Sequence, residues 1–185
     1  MTRLDALGRA RALACRLMRK PAVGGYGRRM VAGSLTLRRF IGEEEFELAT
    51  TQMRVHDEHG QLGIVLEFTC GEAASTLTDT EDLHARPAGD VVFFVDSIDA
   101  LIGATVEVPT TFDESRNRHV SRLYYVEHQG LENNRITFVE RRGHAFLIRW
   151  VGLTTDVNSK PDTELVIEGW FAWDSQLTPG RAESG

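Results

Sequence analysis

The stretch Arg135–Trp150, RITFVERRGHAFLIRW, decides how the rest of the chain is read. Ile136 to Glu140 and Phe146 to Val151 are rich in β-branched and aromatic residues, the composition of strands. Between them stands Arg141-Arg142-Gly143. A three-residue hairpin loop takes Gly last, because that position needs positive φ. This loop predicts a register with Glu140 opposite His144, Phe138 opposite Phe146 and Ile136 opposite Ile148. Side chains alternate across a strand, so those pairs share one apolar face. Thr137, Val139, Leu147, Arg149 and Val151 fall on the other.

Outward from that hairpin the same pattern recurs. Val31 to Ile41 reads as a first strand, and Glu43-Glu44-Glu45 after it as a solvated turn. Phe46 to Cys70 reads as a second hairpin around Asp57-Glu58-His59-Gly60, with Val55 facing Leu62, Met53 facing Ile64 and Ala49 facing Phe68. One face is apolar and the other polar, as in an antiparallel pair with a wet side. Asp90 to Asp96 is an apolar run short enough for a buried strand. Ser97 and Gly103 bracket a short helix, with Ile98, Leu101 and Ile102 at helical spacing. Strands follow at Ala104 to Val108, Val120 to His128 and Thr163 to Asp174. In the last of these, Leu165, Ile167, Phe171 and Trp173 share a face opposite Val166, Glu168 and Trp170.

The count is about seven to nine strands, in a mainly β, antiparallel fold: a β-sandwich or partly open barrel with one short helix, Ser97–Gly103. Residues 71–89 and 110–119 read as long polar loops, the first a candidate binding loop. Residues 30–175 form the single β domain. Residues 176–185 read as a flexible tail. Residues 1–29 form a basic extension: Leu4, Leu7, Ala10, Ala14, Leu17 and Met18 have near-helical spacing, and Pro21 and Gly24-Gly25 interrupt it. It reads as poorly ordered.

Charge divides the chain in the same place. Residues 1–29 hold eight Lys/Arg and one acid, a net of +7, which leaves −13 on the remainder of a chain whose net is −6. An acidic body is ill suited to phosphate contacts, so nucleic-acid binding through the main domain is not expected. It suits a protein partner with a basic surface. No apolar run approaches a membrane span. Cys15 and Cys70 match no metal or redox spacing, so a soluble, cytoplasmic protein without cofactor or metal is expected.

The chemistry-bearing motifs are few. There is no Gly-x-Ser-x-Gly elbow, phosphate-binding Gly loop or His-Glu-x-x-His. His56-Asp57-Glu58-His59 contains metal-ligand types, but a hairpin tip splays its side chains and a polar turn accounts for them. Asp156, Asn158 and Asp162 fall short of a calcium loop, because Lys160, Pro161 and Ile167 occupy positions it needs. Glu140 beside His144 has the residue types of a general base without a nucleophile nearby in sequence. The aromatics Tyr124, Tyr125, Trp150, Trp170 and Trp173 share strands with Arg122 and Arg149. From these, Tyr124, Tyr125, Arg149, Trp150 and Trp170 are the candidate ligand-binding residues, and no catalytic residue is assigned. The leading expectation is a non-enzymatic binding protein, an acidic β domain that docks on a macromolecular partner in the manner of a neutralising or immunity protein. The alternative is a small-ligand-binding β-barrel, with enzymatic activity as an option, that uses the aromatic cluster.

Overall fold

The computed structural model describes residues 33–75, 86–155 and 162–173. The expectations placed on residues 1–29, the tail, the loop around Asp156 and residues 76–85 lie outside them. Among the described residues, twelve strands run in order: β1 (Gly33–Arg39), β2 (Gly42–Glu58), β3 (Gln61–Ser75), β4 (Ala88–Val95), β5 (Thr105–Val108), β6 (Phe112–Asp113), β7 (Arg118–His119), β8 (Ser121–Tyr125), β9 (Glu127–Gly130), β10 (Glu132–Arg142), β11 (Ala145–Thr154) and β12 (Thr163–Trp173). Ten of them form one sheet in the order β5-β10-β11-β12-β1-β2-β3-β4-β8-β9. Two meanders, β1–β4 and β10–β12, are joined by antiparallel pairing of the first strand with the last. β6 and β7 form a separate ribbon. The protein is mainly β and antiparallel, and the sheet is not closed into a barrel. Among the described residues, no helix is long and apolar enough to cross a membrane.

The sheet rolls so that its inner face meets itself. Phe93 of β4 packs edge-on against Phe138 of β10, Phe68 of β3 against Trp150 of β11, and Phe46 of β2 against Tyr125 of β8, with centroids 6.1, 5.7 and 5.8 Å apart. Such edge-to-face pairs each add about 0.5–1.5 kcal/mol beyond area burial. Ile136, Phe138, Phe146, Ile148, Trp150, Leu165, Ile167 and Phe171 are all fully buried, so the hairpin and last-strand faces read from sequence are the core.

The pairing partners within both hairpins differ from the sequence register. Ile136 opposes Trp150 and Phe138 opposes Ile148, then the register shifts before Glu140, which opposes Leu147. The turn is Gly143-His144, with positive φ at Gly143 (57°), the two-residue pattern that has Gly first. The β2–β3 turn is likewise two residues, His59 and Gly60, both with positive φ. Val55 therefore opposes Ile64, not Leu62. The slip is two places at Ile136, Phe138 and Val55, which preserves their faces because side chains repeat every second residue, and three places at Glu140, past the register shift. The bulge beyond Phe138 also separates Glu140 from His144. Both carboxylate oxygens of Glu140 accept from Arg142 (2.7 and 3.2 Å), and His144 packs edge-on to Trp173.

Three further readings are corrected. The expected helix is a 3-10 turn, Asp99–Leu101, with the Ser97 hydroxyl accepting from the Ala100 N–H (3.2 Å) and Gly103 at φ 75°. The strand read through His128 breaks at Val126, whose φ is 66°, and reverses as β9. The triple glutamate is not a solvated turn. Phe40-Ile41 makes that turn, and Glu44 lies inside, fully buried against Arg39 (Nη1 to Oε2, 3.1 Å), with the Tyr125 hydroxyl donating to the same oxygen at 3.2 Å. A second buried polar knot centres on Asn134. Its amide donates to the carbonyls of Leu131 and Val108, and its oxygen accepts from the Trp150 indole at 2.8 Å.

The β6–β7 ribbon is held by Asp113 and Glu58. Asp113 accepts from the Ser115 hydroxyl (2.6 Å), from Ser115 and Arg116 N–H groups and from the Arg116 guanidinium (3.0 Å). Led by the Ser115 hydroxyl, these donors lower its pKa to about 2. Burial alone would raise the Glu58 pKa, but hydrogen bonding from His56 and the Arg118 charge outweigh it and hold the carboxyl below its usual range.

Two measurements check this fold. Glu44→Ala leaves Arg39 buried without that carboxylate and is expected to cost about 3–5 kcal/mol in denaturant unfolding; a loss below about 1 kcal/mol contradicts the buried pair. Asp113 is depressed in the folded state, so the order it gives the ribbon is present above 3.8 and is lost as pH falls toward 2. The Ser115 and Arg116 amide resonances are expected to titrate with a midpoint near 2; a midpoint near 3.8 contradicts the arrangement.

Candidate functional site

An open groove of about 860 Å³ lies on the outer side of β2, β3, β4, β8 and β9. It exists because β2 is irregular there. The β2–β3 register shifts repeatedly between Glu45 and Thr50, and bulges bend and twist the bulged strand. Outward-facing residues then line the groove in rows: Thr50 and Gln52 from β2, Glu67 and Thr69 from β3, Asp90 from β4, Arg122 and Tyr124 from β8, and His128 from β9. Trp173 enters at one end, where β12 runs past the start of β1 and pairs directly with Gln52 and Met53.

Gly89 fixes the floor. A Cβ there would stand 2.7 Å from the Arg122 carbonyl oxygen and 2.8 Å from the Phe68 ring, so only glycine lets β3, β4 and β8 approach so closely.

The charges in the groove are matched. Arg122 grips Asp90 with two hydrogen bonds, Nε to Oδ1 at 3.0 Å and Nη2 to Oδ2 at 2.9 Å. The Asp90 hydrogen bond raises the arginine's pKa further. Glu67 is paired with Arg54. The Thr50 and Thr69 hydroxyls share a hydrogen bond of 2.6 Å. Tyr124 and His128 are cross-strand neighbours with centroids 4.7 Å apart. Trp173 is stacked on Phe146 at 5.2 Å, with the Arg141 guanidinium 4.9 Å from its centroid. Both oxygens of Asp90 are committed to Arg122, a geometry that orients a guanidinium more readily than it moves a proton. The groove therefore offers fixed aromatic surface and oriented donors.

The five predicted ligand residues do not converge. Tyr124, 48% exposed, lines the groove. Tyr125 points inward to Glu44 and Trp150 is sealed in the core against Asn134. Arg149 lies on the outer face of β11, paired with Glu168 at 3.2 Å. Trp170 lies across β11–β12 from Leu147, with the Arg142 guanidinium 4.7 Å from its centroid. Adjacent residues on a strand face opposite sides, which is why Tyr124 and Tyr125 part company, as do Arg149 and Trp150. Sequence reasoning missed Asp90, His128 and the floor at Gly89. Opposite charges on Asp90 and Arg122 were the available signal, but 31 residues of loops and short strands separate them, and only the β4–β8 register brings them together. At the β2–β3 tip, Glu58 is clamped by Arg118 (3.0 Å) and Arg116 (3.5 Å) beside His56. Among the described residues, no group of three or more His, Cys, Asp or Glu is placed to hold a metal ion.

No protein-family model, curated protein or solved structure matches the chain.

Gly89→Ala is expected to destabilise the domain by about 1–3 kcal/mol in thermal or denaturant unfolding, through the clash at the groove floor. Wild-type stability in that variant contradicts the close approach of β3, β4 and β8.

Proposed function

We propose that the protein is a non-enzymatic binding module that docks a macromolecular partner, a protein, against the outer groove. The observation that carries this reading is the exposed Tyr124–His128 pair beside the Arg122–Asp90 fork on a rigid sheet. Tyrosine, tryptophan and arginine are the residues that dominate protein–protein hot spots, and pre-ordered groups lose less entropy on docking. The −13 carried by residues 30–185 favours a partner with a basic surface and disfavours nucleic acid through this domain. A neutralising or immunity-type role is the form of the proposal that these features suit. It includes a cytoplasmic setting, which fits the buried thiol of Cys70, pushed up to about 12 by burial and so unreactive.

The barrel alternative requires an internal cavity for the aromatic cluster. Trp150 and Tyr125 are packed as core instead, and the void beside Arg39, Tyr125 and Gln129 holds only about 10 Å³. That space suits at most one water molecule.

The test is affinity capture from source-cell lysate with wild-type protein and with Tyr124→Ala and Arg122→Glu variants, each shown to be folded. One stoichiometric partner, retained by wild type and weakened at least tenfold by either substitution, is expected. A partner held equally by all three, or none held by wild type, overturns the reading.

A further inference from the structure

The sheet fails to close at one seam, and that seam has the properties of a second binding site. β5 is an end strand of the ten-stranded sheet. β4 pairs with β8 only from Ala88 to Val91, followed by one bond from the Val92 N–H to the Val120 carbonyl. Beyond it, among the described residues, Phe93, Phe94 and Val95 have no ladder partner on that side. The two open edges border one slot of about 580 Å³, with Pro109, Thr110 and residues 112–115 along its side. An open strand edge presents unpaired N–H and C=O groups, which pair readily with an extended chain.

The slot is also patterned. Phe93 and Val108 are buried, and Val106 lies opposite the buried Ile136, so these three face the interior. Phe94 and Glu107 belong to the outward rows of their strands. The ribbon adds Phe112, Asp113 and Glu114, and no lysine or arginine lines the slot. The two nearby arginines are engaged: Arg116 and Arg118 sit over the Phe94 ring at 4.1 and 5.2 Å and pair with Asp113 and Glu58. Glu107, 69% exposed at its side chain, pairs with Arg135 at 3.5 Å, a solvent-exposed ion pair of the weak kind that a docking cation can replace. A strand lying in this slot would meet apolar surface at every second residue and carboxylates at the residues between.

The geometry points to a strand-accepting slot between β4 and β5 that takes an extended segment of a partner protein, with apolar residues alternating with lysine or arginine. β5 is four residues long, so the paired segment spans about 13 Å at roughly 3.3 Å per residue. Backbone bonds to the two edges supply affinity, and the alternation supplies specificity. This site is separate from the Tyr124 groove and does not depend on the reading given to it.

The test uses fluorescein-labelled hexapeptides and the full chain. The probes are Lys-Val-Lys-Val-Lys-Val, its glutamate counterpart Glu-Val-Glu-Val-Glu-Val, and the lysine peptide with N-methylated valines, which lack the amide hydrogens needed for pairing. A Glu107→Lys/Glu114→Lys variant is measured beside wild type, and its fold is checked by thermal unfolding. Expected results are saturable binding of the lysine peptide to wild type and at least tenfold weaker binding of the other two peptides. The double variant is expected to lose at least tenfold for the lysine peptide, and in the wild-type complex amide exchange is expected to slow at Phe94 and Glu107, whose N–H groups face the slot. The proposal is overturned by equal binding of the N-methylated peptide, by unchanged binding to the variant, or by no saturable binding at millimolar concentration. Slow exchange at Phe94 and Glu107 in a peptide-free dimer also overturns it, by assigning the slot to a second copy of the chain.

Discussion

Everything in this structure depends on one inner row of side chains meeting itself across a rolled sheet. Phe46, Phe68, Phe93, Tyr125, Phe138, Phe146 and Trp150 come from six strands, yet they meet edge to face, Phe46 on Tyr125, Phe68 on Trp150, and Phe138 on both Phe93 and Phe146. Antiparallel pairing sets which residues point inward, and a slip of one place would bring Arg149 or Glu168 into that layer. Pairing of β1 with β12 then joins the two meanders into a continuous wall. The two buried polar knots, Arg39–Glu44–Tyr125 and Asn134–Trp150, sit within this apolar layer, and they are tolerated because their partners are in place.

A filled interior moves recognition to the outside. The same irregularities that let β2 and β3 bend around the core shape the outer groove, and Gly89 thins the wall at its floor. The aromatic and charged groups there are held by neighbours on adjacent strands, which is the condition for a pre-organised binding surface. The seam beside β5 has a different origin. There the wall runs out of strands, and an open edge with acidic flanks results. Bending and incomplete closure thus generate two separate concave features from one sheet.

Much of the wall was legible from sequence because period-two alternation is a local signal. The faces of Ile136–Glu140, Phe146–Val151 and Thr163–Trp173 could be read directly. Register was less legible. Both hairpins use tighter turns than their Gly positions alone suggest, and the bulge after Phe138 cannot be inferred from composition. Glu44 illustrates the harder limit. A glutamate between two others reads as solvated, and its burial depends on Arg39 and on Tyr125, which is 81 residues away. The candidate site was the least legible feature, because Asp90 and Arg122 meet only through the β4–β8 ladder, and the parity of neighbouring residues sends Tyr124 outward and Tyr125 inward.

The central claim is that the interior is packed protein and that binding belongs to the outer surface. Hydrogen exchange of the Trp150 indole N–H tests it most directly, since that group lies at the centre of the core and donates to Asn134. The account predicts exchange only through global unfolding, with a protection free energy equal to that measured by denaturant. Exchange at a rate near that of a free indole would mean that solvent and small ligands reach the interior, and would contradict it.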